Sequence, residues 1–205
     1  IQAANIVDYL RHWATERPET VAIAFYGREV TYAEFDELSD RFAGWLRSLG
    51  VVSGDRVGVH LGNCPQFAIA MLGILKVGAV HVPVNPLFRG HELVHELSDA
   101  GVSVLLTQPE FAELVRGVLP ETPVRHLAVT ALSDMLAELP EVPVPFDLAA
   151  AQSDWARIVS SPRAEPVAAD PDALAALNYT GGTTGLPKGC EHTQRHMVYT
   201  ALTAT

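Results

Sequence analysis

The feature that most constrains this chain is a short segment rich in glycine and threonine. It reads Tyr-Thr-Gly-Gly-Thr-Thr-Gly-Leu-Pro-Lys-Gly from Tyr179 to Gly189, and it directly follows an apolar run at 174 to 178. Glycine has no Cβ, so its backbone turns tightly and brings bare N–H groups against an anion. Threonine hydroxyls and a lysine ammonium are further ligands for phosphate. The segment therefore predicts a phosphate-binding loop.

The expected phosphate ligands are small or hydroxylated residues together with one lysine: Thr180, Gly181, Gly182, Thr183, Thr184, Gly185 and Lys188. Among the hydroxyls, that of Thr184 is the candidate ligand of Mg²⁺. The segment is not a Walker A loop, which has its lysine directly after the last glycine and a serine or threonine next. Here Leu186 and Pro187 precede Lys188, and a glycine follows it.

Residues 179 to 189 resemble the phosphate loop of the adenylate-forming superfamily, which includes acyl-CoA synthetases, nonribosomal peptide adenylation domains and firefly luciferases. Further segments that are similar to the family occur in its order, at 31 to 34, 54 to 57, 61 to 63 and 78 to 86. One departure follows the loop. Many relatives carry Thr-His where this chain has Thr193 and Gln194.

The resemblance implies an ATP-dependent ligase that activates a carboxylic acid as an acyl-adenylate and transfers the acyl group to CoA, with ATP and Mg²⁺ as cofactors. Residues 84 to 93 resemble fatty-acyl-CoA ligases most, so a fatty acid is the expected substrate. Aryl, carnitine-type and amino acids remain open. The family's adenine- and ribose-binding segment and its C-terminal lysine are expected beyond Thr205. Residues 1 to 205 are thus interpreted as the truncated N-terminal α/β subdomain of an AMP-binding domain, inactive alone, with no catalytic residue of its own.

From Arg56 onward, apolar strand candidates alternate with helix candidates. The strands are expected at 56 to 61, 79 to 84, 102 to 107, 124 to 129 and 174 to 179, and the helices at 65 to 77, 90 to 100 and 109 to 118. This alternation favours an α/β fold with a mainly parallel, doubly wound sheet and helices on both faces. In such sheets, ligands bind at the carboxyl ends of the strands, which is where the glycine-rich segment is expected.

The remaining parts of the chain give weaker signals. Residues 5 to 17 and 35 to 49 have helical apolar stripes, the second associated with a capping box of Thr31 and Glu34, and two strands are expected between them. Residues 130 to 171 contain six prolines and predict a long surface connection, with short helical stretches near Leu132 and Trp155.

Charge and composition limit the partners. The formal net charge of -10 disfavours nucleic acid and anionic lipid. No apolar run of membrane-spanning length and no signal peptide is seen. Two cysteines without CxxC spacing fit a reducing compartment, so a cytoplasmic location is expected. The expected partners are a small carboxylic acid, ATP and CoA, with no nucleic acid and no integral membrane segment, and a homodimer is left open.

A second motif indicates a different class of enzyme. His91-Glu92-Leu93-Val94-His95 matches HExxH, in which two histidines on a helix bind zinc and the glutamate acts as a base. The extended form of the motif fails, because Ser98 and Gly101 occupy the positions of its downstream glycine and histidine. A zinc-dependent hydrolase is therefore the alternative. Otherwise these residues form a solvated helix face, with Leu93, Val94 and Leu97 buried.

Overall fold

The computed structural model describes residues 5–136, 138, 153–168, 170–180 and 186–203. Strands and helices alternate along most of this part of the chain. In order, the elements are α1 (Ile6–Glu16), β1 (Val21–Phe25), β2 (Arg28–Thr31), α2 (Tyr32–Ser48), β3 (Arg56–His60), α3 (Pro65–Lys76), β4 (Val80–Pro83), α4 (Gly90–Asp99), β5 (Val102–Thr107), α5 (Pro109–Val118), β6 (His126–Val129), α6 (Trp155–Val159), β7 (Leu174–Thr180), β8 (Lys188–Thr193) and α7 (Gln194–Thr203). Short 3-10 turns occur at Leu119–Glu121 and Leu132–Met135.

The main sheet has six strands in the order β6-β5-β3-β4-β7-β8. The first five are mutually parallel, and β8 pairs antiparallel with β7 at the edge. A separate two-stranded ribbon joins β1 and β2. The predicted α/β fold with a mainly parallel sheet is confirmed.

Helices cover both faces of this sheet, because alternate residues of a strand point to opposite sides. In β5, Val104 and Leu106 join a core cluster with α2 and α3, whereas Leu105 between them joins a second cluster with α4 and α5. All six residues of β5 are buried, as expected for a central strand of a doubly wound sheet.

Local signals fix the starts of the first two long helices. The side chain of Asn5 accepts a hydrogen bond from the Asp8 amide at 2.9 Å and so caps α1. Thr31 Oγ1 accepts one from the Glu34 amide at 3.2 Å at the start of α2, where the sequence predicts a cap. Such caps satisfy amides that have no partner within the helix.

The expected surface path of residues 130 to 171 is wrong for part of that segment. Trp155 and Ile158 in α6 are 4% and 0% exposed, and the Trp155 ring lies 6.5 Å from that of Phe42 on α2. These two side chains supply an apolar anchor, so α6 packs on the core although its flanks are rich in proline. Within the described chain, no helix is both long and apolar enough to cross a membrane.

Candidate phosphate-binding site

The glycine- and threonine-rich segment connects the two strands of an antiparallel hairpin. Thr180, the last residue of β7, is paired with Lys188, the first residue of β8. Directly opposed residues of such a pair have Cβ atoms about 5 Å apart, so the two ends of the connection lie close together. The side chains of Thr180 and Lys188 are both exposed. The strand pairing thus brings a residue with a hydroxyl and a residue with an ammonium group together at the mouth of the loop.

Gly181, Gly182, Thr183, Thr184 and Gly185 lie outside the described residues. Their assignment to phosphate, and that of Thr184 to Mg²⁺, therefore stay predictions. The structure does place the two expected ligands that flank them, Thr180 and Lys188, against each other.

The loop lies at the carboxyl edge of the parallel strands. His81 in β4 is in register with Ala176 in β7, and both strands run in the same direction. Both strands therefore end at this edge, β4 at Pro83 and β7 at Thr180. Open α/β sheets bind ligands at this edge, so the topology and the residue types point to the same place.

The hairpin continues directly into β8, a strand that the sequence interpretation did not contain. The sequence predicts only the start of a helix after the loop, whereas in the structure the strand Lys188–Thr193 precedes α7. Gly189 has a packing reason in this strand, since a Cβ there would lie 3.1 Å from Cζ of Tyr179. The tyrosine ring therefore packs across the strand onto the glycine.

Helix α4 contacts the hairpin at two points. The Tyr179 hydroxyl donates a hydrogen bond to Asp99 Oδ2 at 2.6 Å. His95 Nε2 lies 3.0 Å from the Pro187 carbonyl oxygen. Because a carbonyl oxygen only accepts, Nε2 carries the hydrogen in this contact. The expectation that His95 faces solvent is therefore wrong.

A buried carboxyl group lies in the same helix. Glu96 is 0% exposed, and neither of its carboxylate oxygens makes a hydrogen bond of normal geometry among the described residues, although the backbone of Asn85 lies near enough to offset part of the effect of burial on its pKa. Burial raises the pKa of Glu96 to about 7. The pKa of Tyr179 is raised as well, first by burial and then by its hydrogen bond to Asp99 and the charges of Asp99 and Glu96.

The zinc alternative is not supported. The described part of the chain holds no group of three or more His, Cys, Asp or Glu side chains that could bind a metal ion. His91 is exposed, and the Nε2 atom of His95 faces the carbonyl of Pro187. Leu93 and Leu97 are fully buried, as predicted, whereas Val94, which was also expected to be buried, is only partly so.

Gln194 occupies the position where many members of the adenylate-forming superfamily carry a histidine. It begins α7, is 2% exposed and donates its backbone amide to the Ala173 carbonyl at 3.0 Å. Its backbone thus links the start of α7 to the residue before β7.

The sequence interpretation missed the contribution of α4. His95 and Asp99 are four residues apart, so they share a helix face. That spacing was visible in the sequence, but it gives no sign of which distant segment the face contacts. Glu96 was detectable only as a charged residue between the apolar positions Leu93 and Leu97.

Comparison with known proteins bears on the whole chain. The family model for AMP-binding enzymes matches residues 10–205. The chain is 32% identical over 214 residues to a long-chain-fatty-acid–CoA ligase of Salmonella typhimurium (strain LT2), which covers 95% of this chain and 37% of that protein. It is 37% identical over 172 residues to 4-coumarate–CoA ligase 3 of Oryza sativa subsp. japonica, with coverage of 84% and 28%.

A solved structure of another CoA ligase has a similar fold. The crystal structure of an anthranilate CoA ligase in complex with anthranoyl-AMP superposes with a TM-score of 0.80 at 28% identity, over 97% of this chain and 36% of that one. The chain thus spans little more than a third of the length of the fatty-acid ligase and of this structure.

Proposed function

Because the chain belongs to the family of AMP-binding enzymes, we propose that it forms the N-terminal α/β part of a ligase that uses ATP to join a carboxylic acid to CoA. The observation that carries the proposal is the hairpin mouth, where Thr180 and Lys188 stand together at the carboxyl edge of a parallel sheet. The three similar proteins named above are CoA ligases, and their names supply the class of reaction.

The site gives a charge-based account of the first step. The acid's carboxylate attacks the α-phosphorus of ATP, which yields an acyl-adenylate and releases pyrophosphate. Lys188 supplies a compact positive charge for that leaving group, and Thr180 adds a hydroxyl beside it. In a chain of net charge -10, this local cation offsets the general repulsion of a polyphosphate.

The residues between Thr180 and Lys188 complete the proposed phosphate-binding site. Backbone N–H groups of Gly181, Gly182 and Gly185, with Thr183, hold the β- and γ-phosphates, and Thr184 is the proposed Mg²⁺ ligand. A bound Mg²⁺ would neutralise phosphate charge. The protein's contribution is then positioning and electrostatics, which are the main sources of catalysis in phosphate chemistry.

A fatty acid is the first proposed substrate, because the long-chain-fatty-acid–CoA ligase of Salmonella is similar over 95% of the chain. An aromatic acid is the second. The reason is that 4-coumarate–CoA ligase 3 has a higher sequence identity to this chain than the fatty-acid ligase has, 37%, although over a shorter stretch. CoA as acceptor, a cytoplasmic location and a homodimer belong to the same proposal. We further propose that sequence beyond this chain supplies the adenine, ribose and acyl contacts and the catalytic lysine.

The test is acid-dependent adenylation by the full-length protein that contains this chain. We expect ATP and Mg²⁺ with a fatty or aromatic acid to give hydroxamate when hydroxylamine is present, and acyl-CoA when CoA is present. The 205-residue chain, assayed in parallel, should give no hydroxamate. Acid-independent ATP turnover by the full-length protein, or hydroxamate formation by the chain alone at the full-length rate, would contradict the proposal.

A further inference from the structure

One face of α4 contacts both strands of the hairpin. His95 Nε2 donates to the carbonyl of Pro187, which directly precedes β8, at 3.0 Å. Asp99 accepts from the hydroxyl of Tyr179, the penultimate residue of β7, at 2.6 Å. The two helix residues are four apart and so lie one above the other on the helix. Each strand of the hairpin is therefore tied to the same helix at the base of the loop.

The helix does not need these two contacts to dock on the sheet. Leu93 and Leu97 are each 0% exposed and belong to the apolar cluster that includes β5 and α5. Burial of these two leucines removes apolar surface from water, and this stabilises the docked helix. The polar contacts add little to that docking, but they are directional, so their main effect is on where the hairpin lies.

The contact of His95 bears most directly on Lys188. The carbonyl of Pro187 belongs to the peptide group that joins Pro187 to Lys188, so holding this oxygen orients that peptide. On its other side, Lys188 is paired with Thr180. The lysine ammonium sits on a flexible four-carbon stem, and a fixed backbone limits the volume that it samples.

We propose that His95 and Asp99 are positioning residues, which hold Lys188 and Thr180 in place for the phosphate groups of a nucleoside triphosphate. The inference rests on the proposed function, since it needs Lys188 to contact phosphate. It gives the second histidine of the HExxH sequence a role without a metal: a hydrogen bond to the exit of the phosphate loop.

Three variants on one helix test it. His95→Ala removes the donor, and His95→Gln places an amide N–H near the former Nε2 position. His91→Ala is the matched control, because His91 lies one turn earlier on the same helix and is exposed. Tyr179→Phe removes the hydroxyl that binds Asp99 and keeps the ring that packs on Gly189.

In the full-length protein, we expect His95→Ala and Tyr179→Phe each to raise the KM for ATP in ATP–pyrophosphate exchange by about two- to tenfold, the range for one lost hydrogen bond. The KM for the acid should stay unchanged. His95→Gln should recover the ATP value to within about twofold, and His91→Ala should match the wild type. An unchanged KM for ATP in His95→Ala, or an equal rise in His91→Ala, overturns the proposal.

A second measurement needs no substrate and so separates this inference from the proposed function. Hydrogen exchange of peptides that cover 186 to 193 should be faster in His95→Ala than in the wild type, His95→Gln or His91→Ala. If the wild type shows no acid-dependent ATP–pyrophosphate exchange, the proposed function fails, and hydrogen exchange still decides whether His95 anchors the hairpin. Equal exchange rates in all four proteins overturn the anchoring.

Discussion

The Nζ atom of Lys76 lies 2.6 Å from Oδ1 of Asp40, and the two side chains are 0% and 2% exposed. Lys76 also lies 2.6 Å from Oδ1 of Asp36, and Arg163 lies 2.7 Å from Oδ2 of Asp40. The ion pairs link α2, α3 and the segment that follows α6. Burial on its own would raise the pKa of Asp40, but the hydrogen bonds from Lys76 and Arg163 and the charges of Lys76 and Arg11 together outweigh it, and the pKa is lowered.

Removing Asp40 should destabilise the fold strongly. Asp40→Ala removes one of the two carboxylates that neutralise the buried ammonium of Lys76. Leaving a buried charge wholly unpaired costs about 3 to 5 kcal/mol, and since Asp36 remains beside Lys76 we expect a loss near the lower end of that range. Urea unfolding at neutral pH measures the loss. The control is Glu37→Ala on the same helix, whose pair with Arg41 is partly exposed and should cost under about 1 kcal/mol. Equal losses in the two variants would contradict this account of the buried network.

Replacing glycine by alanine should have opposite effects on stability at two helical positions, Gly44 and Gly117. A Cβ on Gly44 in α2 would overlap the carbonyl oxygen of Pro162, whereas one on Gly117 in α5 would meet nothing within 4 Å. Gly44→Ala must push the backbone of the 162 segment away, and such overpacking costs about 1 to 3 kcal/mol or more. Gly117→Ala should stabilise by up to about 1 kcal/mol, because alanine favours helix. Thermal unfolding of both variants checks the signs, and a stabilised Gly44→Ala would show that the two segments do not pack closely.

The sequence predicted the parallel sheet well, since buried strands such as Val102–Thr107 are mostly apolar and are bounded by helices with clear periods. It did not predict β8. Lys188–Thr193 has no alternating apolar pattern, and its residues are exposed or only partly buried. Its extended conformation comes from pairing with β7, which is a tertiary contact that local propensity does not encode.

The same limit applies to the site. The residue types of the loop predict phosphate binding, because glycine, threonine and lysine carry that chemistry wherever the segment lies. His95 and Pro187 are 92 positions apart, and their contact depends on how α4 and the hairpin pack. For this reason the helical face of His95 was expected in solvent. Only the folded chain identifies its partner.

Lys188→Ala in the full-length protein should lower the rate of acyl-adenylate formation about tenfold or more. Losing a charge-assisted contact to phosphate is worth about 1.5 to 3 kcal/mol, which corresponds to a factor of roughly ten to 150 in rate. Lys188→Arg, which keeps the charge, should lose less. Pyrophosphate release in single-turnover experiments is the measurement. Unchanged release kinetics in Lys188→Ala would remove this lysine from the proposed mechanism.

Glu96 should make the fold less stable as the pH rises from acid to neutral. A glutamate of pKa 4.5 when unperturbed titrates at about 7 in the folded chain. Between these values, the folded state binds one proton more than the unfolded state, so the free energy of unfolding falls as the pH rises and levels off above about 7. A shift of this size corresponds to about 3 kcal/mol. Glu96→Gln stays uncharged, so its stability relative to the wild type should improve by about 2 to 3 kcal/mol between pH 5 and pH 8.

Glu113→Gln, at an exposed position of α5, is the control and should show no such trend. Urea unfolding of the three proteins at both pH values measures the difference, and parallel pH profiles for Glu96→Gln and the wild type would mean that Glu96 does not titrate in this window.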